Sequence, residues 1–83
     1  MKRLVYLISP NKIYKSFYKD LKKVLEHNNV KFFQLRIKKT SNDNLIRIAK
    51  KIAKITKKYN VKLIINDNAK VAKKIKADGC HLG

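Results

Sequence analysis

The chain has 83 residues, which allows one small domain or part of a larger one, and 45% of its residues are hydrophobic, which excludes a disordered tail. No apolar run approaches the roughly 20 residues of a membrane span, and the apolar run after Arg3 is too short for the core of a signal peptide. The single cysteine, Cys80, cannot form an internal disulfide and fits a reducing compartment. We therefore predict a cytoplasmic protein without a membrane partner.

The charge of the chain is strongly positive, with 22 basic residues, 5 acidic residues and a net charge of +17. Such a charge is typical of proteins that bind nucleic acid. However, 19 of the basic residues are lysines, and they accompany 10 isoleucines and 8 asparagines, which are the residue types that an AT-rich coding sequence favours. We favour a solvated lysine-rich surface over a nucleic-acid partner, and a small basic nucleic-acid-binding protein remains an alternative.

The first half of the chain alternates strand and helix patterns. Residues 4–9 form a β-prone run that ends at a Ser-Pro-Asn turn signal. Apolar residues recur at helical spacing over residues 13–27, with lysines between them, which predicts an amphipathic helix. Asn28 or Asn29 can supply the left-handed residue that ends this helix. A second strand is predicted over residues 30–38.

The second half continues the alternation. Residues 40–43 carry several possible N-cap residues, and the apolar residues that follow share one helix face as far as Asn60, which ends the helix. A strand over residues 61–66 has three successive apolar residues, as expected for a strand that is covered on both sides. A short helix over residues 69–76 and a fourth strand from about Gly79 complete the order βαβαβαβ.

This order of elements predicts an α/β protein with a parallel sheet and right-handed crossovers. The sequence contains no low-complexity linker and no internal domain boundary. In sheets of this kind, ligands bind beyond the carboxyl ends of the strands. Candidate site residues are therefore to be sought at those ends.

The second predicted strand carries three polar residues at alternate positions, Gln34, Arg36 and Lys38, which share one face. An arginine can donate two parallel hydrogen bonds to phosphate oxygens and a lysine can add a point charge. The pair therefore suits a diphosphate better than a single carboxylate. The water-exposed face of an edge strand would give the same alternation without any function.

Asn66 and Asp67 follow the third predicted strand, and Asp67 is one of only 5 acidic residues. Mg²⁺ is usually held by one or two carboxylates together with substrate phosphates, so this position suits a metal ligand. The alternative is a structural one, in which Asp67 or Asn68 caps the following helix. We expect His81 to pack beside the sheet and Cys80 to be a small core residue.

Three motifs follow one another along the chain, namely QLRIKK at residues 34–39, IND at residues 65–67 and ADGCHLG at residues 77–83. Their order and spacing resemble those of the amino-terminal half of thiamine phosphate synthase. The resemblance begins at the first strand, LVYLISP, and covers essentially the whole chain. It implies a (βα)₈ TIM barrel, of which residues 1–83 would form the amino-terminal half of a single domain and hold strands one to four.

The resemblance also implies a function. Enzymes of that family are transferases of thiamine biosynthesis, which join 4-amino-2-methyl-5-hydroxymethylpyrimidine diphosphate to thiazole phosphate and release diphosphate, with Mg²⁺ as cofactor. The residues that would bind the pyrimidine diphosphate are Gln34, Arg36, Lys38 and Asn66. Asp67 would be a Mg²⁺ ligand, and no side chain is expected to act as a nucleophile.

The sequence departs from the family pattern in two respects. Asn68 stands where the family usually has an arginine, and the glutamine, the second metal-binding aspartate and the lysine that the family places later would come after Gly83. We therefore expect the chain alone to be inactive, as a fragment or a truncated reading frame, and to associate with itself or with a complementary barrel half. A thiazole tautomerase on the same scaffold is an alternative, although it has no diphosphate to hold.

Overall fold

The computed structural model describes residues 5–82, except for the side chain of Val5, and strands alternate with helices throughout. The strands β1 to β4 are Val5–Ile8, Val30–Leu35, Lys62–Asn66 and Gly79–His81. The helices α1 to α3 are Phe17–His27, Asn42–Lys58 and Ala69–Lys74. The predicted order βαβαβαβ is confirmed, while Leu4 and Gly83, which the predicted strands and motifs included, lie outside the described residues.

The four strands form one parallel sheet in the order β1-β2-β3-β4. Each strand pairs with the next one along the chain, and a helix lies in each connection, as parallel pairing requires. One row of paired residues crosses the whole sheet and consists of Ile8, Gln34, Ile64 and Gly79. Consecutive strands of a (βα)₈ barrel are paired in this way.

The hydrophobic core lies between the helices and one face of the sheet. The sheet contributes its most deeply buried apolar side chains, Phe33, Leu35, Leu63 and Ile65. Helix α2 contributes the face that its periodicity predicts, namely Leu45, Ile48, Ala49, Ile52, Ile55 and Thr56. Burial of these side chains fixes which face of each strand is turned away from the helices, and Gln34 and Asn66 lie on that other face.

The face of the sheet away from the helices is only partly covered by residues 5–82. Tyr6, Ile8 and Phe32 are exposed there, and the rings of Tyr6 and Phe32 stack with their centroids 5.7 Å apart. Ile64 is half-buried on this face, so β3 is covered fully only on the helix side. In a closed barrel this face would form the interior.

The ends of α1 differ from the prediction. The helix begins at Phe17 rather than at residue 13, and Asn28, which follows it, is extended with a φ of −131°. The prediction that Asn28 or Asn29 is left-handed is wrong, because neither residue has a positive φ. The Asn28 side chain instead donates a hydrogen bond from Nδ2 to the carbonyl oxygen of Val24, at 2.9 Å. Among residues 5–82, no helix is both long and apolar enough to cross a membrane.

Candidate functional site

A cleft of about 610 Å³ opens at the carboxyl ends of the strands. This is the edge of the sheet at which parallel α/β folds bind their ligands. The lining residues are Ile8, Gln34, Arg36, Ile37, Lys38, Lys39, Thr40, Leu45, Asn66, Asp67, Asn68 and His81. The structure therefore brings together all five predicted site residues in one space.

The segment after β2 is not the continuous strand that the alternation predicted. The strand ends at Leu35, so Arg36 and Lys38 lie in the loop beyond it. The expectation that one strand carries all three polar residues is therefore wrong. The loop is held by side chains from the β1–α1 connection. Ser9 Oγ accepts a hydrogen bond from the backbone N–H of Arg36 at 2.8 Å, and Asn11 Oδ1 accepts one from that of Lys38 at 2.7 Å. These acceptors replace a partner strand.

Of the three polar residues, only Gln34 lies on the strand itself, and it is buried with 6% of its surface exposed. Its Nε2 donates a hydrogen bond to the hydroxyl of Tyr6 at 2.7 Å. The same strand pair is closed by a hydrogen bond from the Ser9 N–H to the carbonyl oxygen of Gln34, at 2.9 Å. The amide of Gln34 is therefore held in one orientation at the floor of the cleft. Sequence reasoning missed Tyr6, although its position two residues before Ile8 places both on the same face of β1.

The loop between β3 and α3 forms the other side of the cleft. Asn66 ends β3, and Asp67 follows with a left-handed φ of 60°. The backbone N–H of Asp67 donates to the carbonyl oxygen of His81 at 2.6 Å. Asn68 Oδ1 accepts a hydrogen bond from the N–H of Val71 at 3.0 Å, so Asn68 is the cap of α3 and Asp67 is not. The carboxylate of Asp67 thus lines the cleft without serving as the helix cap.

His81 is placed differently from the prediction. It pairs in register with Asn66, is exposed and lines the cleft, because that register turns it toward the open face of the sheet. The expectation that His81 packs beside the sheet is wrong. Cys80, its neighbour, is half-buried and packs against the core, in line with the prediction. Alternation from Gly79 would have shown that these two side chains point in opposite directions.

The charges in the cleft are arranged on its two sides. Arg36, Lys38 and Lys39 line the side that follows β2, whereas Asp67 lines the side that follows β3. Guanidinium and ammonium groups suit phosphate oxygens, and a carboxylate suits a hard divalent cation. Among residues 5–82, no three His, Cys, Asp or Glu side chains gather where they could hold a metal. A divalent cation at Asp67 would therefore take its other ligands from amide, phosphate or water oxygens.

Comparison with known proteins shows which proteins this chain resembles. The thiamine-phosphate synthase of Pelagibacter ubique is 57% identical over 83 residues, which are 99% of this chain and 40% of that protein. The thiamine-phosphate synthase of Clostridium tetani is 43% identical over 82 residues, covering 95% of this chain and 38% of that protein. The chain thus spans about 40% of the length of these curated relatives.

A solved structure is also similar. The thiamine phosphate pyrophosphorylase of Pyrococcus furiosus matches with a TM-score of 0.79 and 26% identity, covering 94% of this chain and 37% of that one. The predicted fold class is confirmed, since the four parallel strands correspond to part of a TIM-barrel protein. The family model of thiamine monophosphate synthase, TMP-TENI, matches residues 5–83. Because that match covers nearly the whole sequence, the chain belongs to the thiamine monophosphate synthase family.

Proposed function

We propose that this chain forms the pyrimidine-diphosphate-binding part of a thiamine phosphate synthase, a transferase of thiamine biosynthesis. The observation that carries the proposal is the single cleft at the carboxyl ends of the strands. It gathers two cations that suit a diphosphate, a carboxylate that suits Mg²⁺ and two side-chain amides, from Arg36, Lys38, Asp67, Gln34 and Asn66. Family membership favours this chemistry over other anionic ligands.

The diphosphate would be bound on the β2 side of the cleft. Arg36 can donate two parallel hydrogen bonds to phosphate oxygens, and Lys38 can approach as a point charge. Both side chains are exposed, but their backbone N–H groups are fixed by Ser9 and Asn11. The donors therefore start from a backbone that does not have to be reorganised when the anion binds.

The residues on the β3 side fit Mg²⁺ in type and number. Asp67 offers a carboxylate and Asn66 an amide oxygen, which are the hard ligands that this ion takes, and Mg²⁺ commonly uses only one or two carboxylates together with phosphates and water. When bound, Mg²⁺ would offset the negative charge on the diphosphate. Asp67 is accordingly proposed as the metal ligand within this chain.

The reaction breaks the C–O bond between the pyrimidine methylene and the diphosphate, and a C–N bond to the thiazole nitrogen forms. Negative charge grows on the departing oxygens, and Arg36 and Lys38 stabilise it. Gln34, whose amide is held by Tyr6, orients the pyrimidine ring at the floor of the cleft. No side chain acts as a nucleophile in this scheme. A tautomerase would have no diphosphate to hold, so the paired cations favour the synthase.

A chimera tests the proposed function. Residues 1–83 would replace the matching segment of the Pelagibacter ubique thiamine-phosphate synthase, which is 57% identical there. We expect the chimera to form thiamine phosphate from pyrimidine diphosphate and thiazole phosphate. A chimera that unfolds cooperatively but makes no product would overturn the proposal. If the chimera does not fold, binding of pyrimidine diphosphate to the 83-residue chain replaces the assay, and binding that is unaffected by Arg36→Ala would overturn the proposal.

A further inference from the structure

The loop that carries Asp67 adopts a backbone conformation that its surroundings must maintain. Asp67 has a φ of 60°, in the left-handed region that residues with side chains adopt uncommonly. Such conformations persist when neighbouring structure holds them in place, and they concentrate at ligand sites. On one side, the hydrogen bond from the Asp67 N–H to the carbonyl oxygen of His81 holds the loop to β4. The next residue, Asn68, gives the loop a second attachment.

Asn68 supplies that second attachment, because both ends of its side-chain amide are engaged. Its Oδ1 accepts the N–H of Val71 at 3.0 Å and caps α3. Its Nδ2 donates to Oδ1 of Asn42 at 2.8 Å, which links two residues that are 26 positions apart in the sequence. Serine or aspartate would cap the helix as well as asparagine does. The cap alone therefore does not explain an asparagine, whereas the bond to Asn42 uses the Nδ2 donor of Asn68 as well as its capping oxygen.

Asn42 is the first residue of α2, which follows the loop that bears Lys38. The bond between Asn68 and Asn42, called here the asparagine bridge, therefore joins the cation side of the cleft to the Asp67 side. We propose that Asn68 is a positioning residue, which acts through the asparagine bridge to hold the Asp67 carboxylate toward a divalent cation and its diphosphate. This inference rests on the proposed function, since it takes Asp67 as the metal ligand.

Two variants remove the asparagine bridge and keep the cap of α3. Asn68→Ser retains a capping oxygen but is too short to reach Asn42, and Asn42→Ala removes the acceptor from the other side. The matched control is Asn28→Ala, which breaks a side-chain hydrogen bond to Val24 at the far end of α1. The probe is Mn²⁺ with inorganic diphosphate, and binding to the 83-residue chain is followed by electron paramagnetic resonance.

We expect each bridge variant to bind Mn²⁺ about tenfold more weakly than the parent, as is typical when the support of a metal ligand is lost. The double variant should bind no more weakly than either single variant, because both changes remove one interaction. Amide hydrogen exchange at Asp67 should be faster in both bridge variants. Asn28→Ala should change neither measurement, whatever it does to the midpoint of thermal unfolding.

The possible failures are distinguishable. Bridge variants that bind Mn²⁺ as the parent does, while Asp67→Asn weakens binding, would overturn the positioning role and leave the metal site in place. Loss of affinity in Asn68→Ser alone would also overturn it, because the bridge has two partners. If Asp67→Asn binds Mn²⁺ as well as the parent does, or the parent binds none, the proposed metal site fails and the positioning role fails with it.

Discussion

Two basic regions of the molecule differ in how their charges are held. The cleft at the carboxyl ends of the strands has three cationic side chains, Arg36, Lys38 and Lys39. A second space of about 450 Å³, called here the helix groove, lies between α1 and α2. Its lining residues are Tyr18, Lys22, Lys51, Lys54, Ile55, Lys58 and Tyr59. The helix groove therefore has more positive side chains than the cleft.

The lysines of the helix groove are held only weakly. Lys51 lies over the ring of Tyr18 and Lys58 over that of Tyr59, with the ammonium nitrogens 5.4 and 5.5 Å from the ring centroids. Exposed contacts of this kind contribute about 0.5–1 kcal/mol each. No carboxylate or amide side chain is among the described residues that line the groove.

The cleft combines groups of different chemistry that loops hold in place. Cations, a carboxylate and amides meet there, and side chains from other elements anchor the backbone beneath them. In a chain of net charge +17, we therefore base the proposed site on mixed groups over an anchored backbone and not on the number of positive charges.

The strongest way to separate the two regions is to remove one cation from each. In the chimera with the Pelagibacter ubique enzyme, we expect Arg36→Ala to lower kcat/KM by a factor on the order of 10² to 10³, because the proposed contact of its guanidinium with the departing diphosphate is lost. Lys54→Ala, in the helix groove, should change kcat/KM by less than about twofold, since surface changes away from a site have small effects. Steady-state rates with the two substrates measure kcat/KM of both variants. Equal losses of kcat/KM would show that the cleft and the helix groove do not differ in function.

Loss of the carboxylate should give a defect that depends on the metal. Asp67→Asn should lower the rate about tenfold or more at low Mg²⁺. Raising Mg²⁺ should restore part of the rate, because an amide oxygen is still a ligand, though a poorer one. Asp20→Asn makes the same change of charge in the first turn of α1 and should leave the Mg²⁺ dependence unchanged. A rate of Asp67→Asn that does not respond to Mg²⁺ would argue against a metal ligand.

The anchoring of the cleft can be tested by stability. Ser9→Ala removes the acceptor of the Arg36 N–H and should lower the free energy of unfolding by about 1–2 kcal/mol. Ser16→Ala is the matched control, because the Ser16 side chain makes no capping hydrogen bond, and its effect should stay within about 0.5 kcal/mol. Urea denaturation of the 83-residue chain measures both changes. Similar losses in the two variants would show that Ser9 is not an anchor.

A substitution in the helix groove should change the free energy of unfolding least. Lys51→Gln removes the contact with the Tyr18 ring and should lower the free energy of unfolding by about 0.5 kcal/mol. Lys50→Gln, an exposed neighbour on α2, removes the same charge and should have a smaller effect. Urea denaturation measures the difference, and a loss above about 2 kcal/mol for Lys51→Gln would mean that the groove is a structured site after all.

The order of elements could be predicted from the sequence because buried apolar residues recur at the spacing of a helix or of a strand. Helix α2 shows this best, since its six buried residues are those that the apolar pattern placed on one face. The strands could be located because β-prone runs alternate with those helices. Burial thus made the core, and the sheet edge that bears the cleft, predictable from local patterns.

The geometry of the site could not be predicted in the same way. The alternation of polar residues continues to Lys38, but β2 ends at Leu35, because Ser9 and Asn11 take up the next backbone N–H groups from 27 residues away. A local pattern carries no signal of such a distant acceptor. His81 is different, because its alternation with the core residue Cys80 is a local pattern that places it on the open face, where it pairs with Asn66.

An NMR titration of the ¹⁵N-labelled 83-residue chain with inorganic diphosphate and Mg²⁺ decides directly between the cleft and the helix groove. We predict saturable shifts of the backbone amides of residues 34–39 and 66–68, with the amides of Lys51, Lys54 and Lys58 unmoved. Shifts that are largest at those three lysines, or that are spread evenly over the lysine-rich surface, would contradict an anion site at the carboxyl ends of the strands.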